Sequence, residues 1–138
     1  MSNGILNHAY YKDLFMQLLS MEGLGYQMNE VRGITVDMQC CKLENVSVLV
    51  FLRDRILTFS CQNIMDLTLH QQKIIFPLLN DLNRDYSDIK FTVENDSLCM
   101  TLRTFILKER MICQCLLILR HLQAVLDKVY PLLRYKLS

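Results

Sequence analysis

Apolar positions along the chain recur in two rhythms, one of helices and one of strands. Tyr11, Leu14, Phe15, Leu18 and Leu19 repeat at spacings of three and four, an apolar stripe that predicts a helix from about His8 to Glu22. Asn7 suits its N-cap, since the side chain can accept from the free amides of the first turn. Gly23 and Gly25 are placed to end it, because glycine accepts the left-handed conformation that closes many helices. The rhythm then shifts to two. Ile34, Val36, Met38 and Cys40 alternate with Thr35, Asp37, Gln39 and Cys41, a strand with one buried face. Val46, Val48, Val50 and Leu52 share one face of the next strand, but Leu49 and Phe51 occupy the other. Leu57, Phe59 and Cys61 alternate with Thr58, Ser60 and Gln62 in a third. The connections near Leu43 and at Arg53-Asp54-Arg55 are short enough for antiparallel hairpins.

The helical rhythm returns with Ile74, Ile75, Leu78, Leu79 and Leu82. Thr68 and Gln71 fit a capping box ahead of that stripe. Pro77 cannot donate to the carbonyl four residues back, so a kink or a late start is expected. Residues 83–88, Asn-Arg-Asp-Tyr-Ser-Asp, read as the exit loop. Ile89, Phe91 and Val93 then alternate with Lys90, Thr92 and Glu94. Asn95-Asp96 makes a two-residue turn of residues that tolerate positive φ, and Ser97 to Phe105 returns with Leu98, Met100 and Leu102 inward. The inward face of Ile89 to Glu94 centres on Phe91, which is expected to pack on the last helix near Leu119 and Leu122. That helix carries Ile112, Cys115, Leu119, Leu122, Leu126, Val129 and Leu133, widened by Met111, Ile118, Val125 and Leu132. A seam this wide fits packing against a sheet better than a two-stranded coiled coil. Pro131 is expected to bend or break its end.

The order is helix, three-strand antiparallel meander, helix, β-hairpin, long C-terminal helix. It predicts one α+β domain over 1–138, built on a five-stranded antiparallel sheet. A length of 138 residues allows one substantial core. With 51% hydrophobic and 21% charged residues the composition is that of a globular domain. Fifteen basic against 14 acidic residues leave no electrostatic footprint for nucleic acid or an anionic membrane. No apolar run approaches the roughly 20 residues that cross a bilayer. The N-terminus lacks the basic, apolar and small-residue segments of a secretory signal. The expectation is a cytoplasmic protein.

Candidate chemistry is sparse. Cys40 and Cys41 are adjacent, Cys61 and Cys99 stand apart, and Cys113 and Cys115 are two apart. None forms a C-x-x-C pair, and no histidine stands at a companion metal spacing. Most fall where the rhythm asks for an apolar residue, which predicts reduced core thiols. His8, His70 and His121 lie in three different helices. No serine sits in a nucleophile elbow, and four glycines supply no phosphate-cradling loop. Asp81, Asp85 and Asp88 lack the glycine and terminal glutamate of a calcium loop. The residues predict no catalytic site, cofactor or metal.

LLSMEGLGYQM after the first helix, LVFLRDRILTFSC, and above all LLNDLNRDYSDIKFTVENDSLCMTLRTFI carry a resemblance. From about Leu14 to Leu133 the chain resembles the type III secretion chaperone-like fold, and within it the YbjN-type bacterial sensory transduction regulator family. Asn80 and Asn83 ahead of an I-x-F-x-V strand and a short polar turn are the most recognisable part. The resemblance implies a small, cytosolic, non-enzymatic protein, commonly a homodimer, that binds a polypeptide. The residues add one point. A strand apolar on both faces needs a second cover, which a partner segment or a second subunit would supply. Leu49 and Phe51, with Ile75 and Leu79 of the second predicted helix, are the candidate partner or dimer surface. The alternatives are a monomer whose first and last helices cover opposite faces of the sheet, and a cysteine-dependent redox or metal-linked sensor.

Overall fold

A computed structural model describes Met16, Leu19, Ser20 and residues 25–29, 33–40, 45–105 and 110–138. Among the described residues six strands form one antiparallel sheet: β1 (Gly25–Asn29), β2 (Gly33–Gln39), β3 (Asn45–Arg53), β4 (Ile56–Asp66), β5 (Ile89–Glu94) and β6 (Ser97–Phe105). Their order across the sheet is β1-β2-β3-β4-β6-β5. Helix α1 (Leu69–Asp85) joins β4 to β5, and helix α2 (Met111–Leu137) follows β6. The α+β class, the antiparallel sheet, the terminal hairpin and the long last helix agree with the sequence pattern. The strand count does not: the meander has four strands. β1 occupies GYQMN, where Gly25 had been expected to help close a helix. Most of the predicted first helix lies outside the described residues, although Met16, Leu19 and Ser20 have helical backbone and Leu19 is buried.

The core follows from register. Ile34, Val50, Phe59, Leu102 and Ile89 stand side by side across five strands, and Val36, Val48, Cys61, Met100 and Phe91 form the next row. Every one of these residues is buried. Helix α1 adds Ile75, Leu79 and Leu82, and α2 adds Cys115, Leu119, Leu122, Leu126 and Leu133 to the same cluster. Both helices therefore cover one face of the sheet.

Two-residue turns set the hairpins. Asp54 and Arg55 have φ of 51° and 67°, and Asn95 and Asp96 have 53° and 61°, the left-handed pair of a type I′ turn whose twist matches that of the flanking strands. β4 runs four residues beyond the expected Gln62 because an irregularity separates Cys61 from Met65. Asn63 turns to a φ of 58° there, which breaks the alternation that marks a strand in sequence.

Helix α1 opens on the expected capping box: the Gln71 amide donates to Thr68 Oγ1 (3.1 Å), and the Thr68 amide donates to Gln71 Oε1 (2.9 Å). It starts at Leu69 and passes through Pro77, so no late start occurs. It also outlasts its expected end. Asn83, Arg84 and Asp85 form its last turn, closed by the Tyr86 amide donating to the Leu82 carbonyl (2.8 Å). Helix α2 likewise continues through Pro131 to Leu137.

The terminal hairpin is tied to both ends of α1. At the start, the Leu67 amide donates to the Asp96 carbonyl (2.8 Å), and Gln72 Nε2 donates to Asp96 Oδ1 (3.0 Å). At the end, Asn83 Nδ2 donates to the Phe91 carbonyl (2.9 Å), while Asn83 Oδ1 accepts from the Phe91 amide (2.6 Å). Phe91 is buried at the centre of its face, with Lys90 and Thr92 exposed on the other. Its ring meets Tyr86 edge-on, centroids 6.2 Å apart. β5 thus packs beneath α1, and Phe91 shares one buried cluster with Leu119 and Leu122 of α2, the residues the sequence pattern sets it against.

Candidate partner-binding face

The second face of the sheet is built by the strand residues that alternate with the core. One row places Thr35, Leu49, Ser60, Thr101 and Lys90 side by side. The next places Phe51, Thr58 and Arg103 together, and the last pairs Arg53 with Ile56 and Ile56 with Phe105. Among the described residues no helix lies over this face, since both helices pack on the core side.

Its apolar residues run diagonally from β3 across β4 to β6, among Thr58, Ser60 and Thr101. Leu49 and Phe51 are half-buried and Thr58 between its neighbours is buried, while Ile56 and Phe105 are 37% and 73% exposed. Phe51 leans against Gly33, whose φ of +121° suits only glycine and where an added Cβ would press on the Val50 carbonyl and the Phe51 Cβ.

Charge divides the face. Arg53, Arg103 and Lys90 surround the apolar strip, and all three are exposed. Asp37 and Glu94 lie toward the opposite end, where Ser47 Oγ donates to Asp37 Oδ1 (3.4 Å). Among the described residues no carboxylate pairs with Arg53 or Arg103.

Of the four residues singled out from sequence, the fold brings Leu49 and Phe51 together on this open face. Ile75 and Leu79 do not join them. They are 0% and 4% exposed beneath α1, because the stripe that carries them is the one α1 turns to the sheet. Ile56 and Phe105 are the members that sequence reasoning missed. Ile56 follows a turn and Phe105 ends a strand, and only the pairing of β3, β4 and β6 sets Ile56 diagonal to Phe51 and Phe105 next to Ile56.

The cysteines are dispersed and mostly enclosed. Burial pushes the Cys61 and Cys115 thiols up to about 12, with Cys40 and Cys99 adding to the effect at Cys61. Burial also raises Cys99, reinforced by the carboxylate of Glu94. Such thiols are poor nucleophiles and ligands, since the thiolate is the reactive form. Cys113 is exposed on the first turn of α2; Cys41 lies outside the described residues. Among the described residues no group of three His, Cys, Asp or Glu side chains is placed to hold a metal ion. His70 is exposed at the start of α1, and His121 Nε2 lies 3.0 Å from Asp88 Oδ2, linking α2 to the loop after α1. Asp81 pairs with Arg84 at 2.9 Å within α1. No helix among the described residues is long and apolar enough to cross a membrane. No family model matches the chain, and no curated protein matches it.

Proposed function

We propose that this protein is a non-enzymatic binding module, chaperone-like or regulatory, that docks a polypeptide on the open face of its sheet. One observation carries the reading: Leu49, Phe51, Ile56 and Phe105 form an apolar strip on a face that no described helix covers, with Arg53, Arg103 and Lys90 around it. Aromatic residues and arginine are enriched at the centres of protein interfaces, and a basic rim favours a partner segment that interleaves apolar with acidic side chains. The resemblance to the YbjN-type regulators points the same way, toward a cytosolic polypeptide binder acting as a homodimer. The buried, high-pKa thiols support this reading over the cysteine-based sensor.

A photo-crosslinking residue placed at Phe105, and separately at Tyr135 on α2, tests it in the cells that make the protein. Polypeptide adducts from position 105 that Phe51→Ser abolishes, with none from 135, are expected. Equal adducts from both positions, or none from 105, would overturn the reading.

A further inference from the structure

The two edges of the sheet are finished differently, and the difference points to a partner. On β5 the turn at Asn95-Asp96 makes Glu94 and Ser97 a hydrogen-bonded pair, so Ile89, Phe91 and Val93 turn their backbone groups outward. That row is capped from within: Asn83 satisfies both groups of Phe91, and the Ile89 amide donates to the Tyr86 carbonyl at 3.2 Å. The side-chain amide stands where a further strand would pair.

β1 forms the other edge. Counting the ladder from the Asp54-Arg55 turn, Leu49 and Phe51 bond toward β4, so Val48 and Val50 bond toward β2. Thr35 and Asp37 then bond to Gln27 and Gly25, which leaves the amides and carbonyls of Tyr26 and Met28 pointing out of the sheet. Among the described residues nothing accepts from or donates to them. The strand, Gly-Tyr-Gln-Met-Asn, also carries no charge and no proline, the devices by which exposed edges usually repel one another.

We infer that β1 is the dimer seam, pairing antiparallel with β1 of a second copy about a twofold axis at Gln27. The register is self-consistent. Tyr26 of each copy opposes Met28 of the other, and the outward groups of both pairs exchange about four main-chain hydrogen bonds. The neutral strand meets its own copy without like-charge repulsion, and a twofold contact closes after two chains and cannot propagate. The Asn83 clamp denies the other edge to the same pairing. The two sheets join into one, and the open faces of the two copies become continuous.

Charge exchange at the axis provides the test. Gln27 opposes its own copy in a non-hydrogen-bonded pair, where Cα atoms approach to about 4.5 Å. In sedimentation equilibrium the unaltered chain should show twice its 16.3 kDa mass. Gln27→Lys and Gln27→Glu alone should each dimerise at least tenfold more weakly, and an equimolar mixture of the two should recover the dimer. A Tyr26→Pro/Met28→Pro variant, which removes only outward donors and leaves the β1–β2 bonds, should be monomeric with an unchanged circular dichroism spectrum. A monomer at about 100 μM, far above a micromolar Kd, would overturn the inference, as would a dimer indifferent to residue 27. A dimer lost in Phe51→Ser/Phe105→Ser but kept in both charge variants would also overturn it, while leaving the open face as the binding surface.

Discussion

Replacing Asn83 by alanine removes the clamp on β5 and nothing from the hydrophobic core. Two hydrogen bonds go, one to the Phe91 amide at 2.6 Å and one to the Phe91 carbonyl at 2.9 Å. Each is partly buried, and a typical intramolecular bond contributes about 0.5–1.5 kcal/mol net, so the pair contributes about 1–3 kcal/mol. Alanine favours a helix by roughly 0.5 kcal/mol over asparagine, which offsets part of the loss. The expected net cost is about 0.5–2.5 kcal/mol, or a fall in Tm of several degrees for a chain of this size. Asn80 is the internal control, one turn earlier on the same helix and exposed. Asn80→Ala should leave stability unchanged or slightly raised. Urea midpoints for the two variants measure the difference, and hydrogen exchange at the Phe91 amide locates it. Equal midpoints for Asn80→Ala and Asn83→Ala, or an unchanged Phe91 amide, would refute the clamp.

Phe91→Ala should cost about 3–5 kcal/mol by leaving a cavity between α1 and the sheet, against roughly 0.5 kcal/mol or less for Lys90→Ala or Thr92→Ala on the exposed face, read from the same midpoints. Gly33→Ala should destabilise by about 1–3 kcal/mol, since a φ of +121° strains any other residue and the new Cβ meets the Val50 carbonyl; a normal midpoint would refute that conformation. Cys61 and Cys115 keep their protons up to about 12 when folded, whereas the unfolded thiols release theirs near 9.0. Above 9.0 the unfolded state binds fewer protons, so stability should be full below that pH and fall as pH rises toward 12, by up to about 1.4 kcal/mol per unit for each thiol. Urea midpoints at pH 8 and pH 10.5, compared between the unaltered chain and Cys61→Val, check the sign. Thiol labelling should modify Cys113 quickly and reach Cys61 and Cys115 only in denaturant.

Much of this architecture was legible in the sequence because burial imposes a period. The alternation of Ile89, Phe91 and Val93 with Lys90, Thr92 and Glu94, and the stripe from Cys115 to Leu133, each reflect one face turned to a core, and both emerged as read. The capping box at Thr68 and Gln71 and the turn at Asn95-Asp96 were legible for the same reason: each is completed by residues within three positions of one another. β1 was not legible, since a five-residue edge strand of mixed polarity has no periodicity to display and exists only because β2 offers it a ladder. The polar run Asn83-Arg84-Asp85 read as a loop because its helical turn answers to Phe91, eight positions from Asn83 along the chain and adjacent only after folding. The candidate face divides in the same way. Leu49 and Phe51 announced a second apolar face by sequence parity alone, whereas Ile75 and Leu79 carried the same apolar character and were claimed by the core. Local chemistry could say which residues avoid water. Only the pairing of β3, β4 and β6, through contacts distant in sequence, decided which of them share a surface and which are enclosed beneath α1.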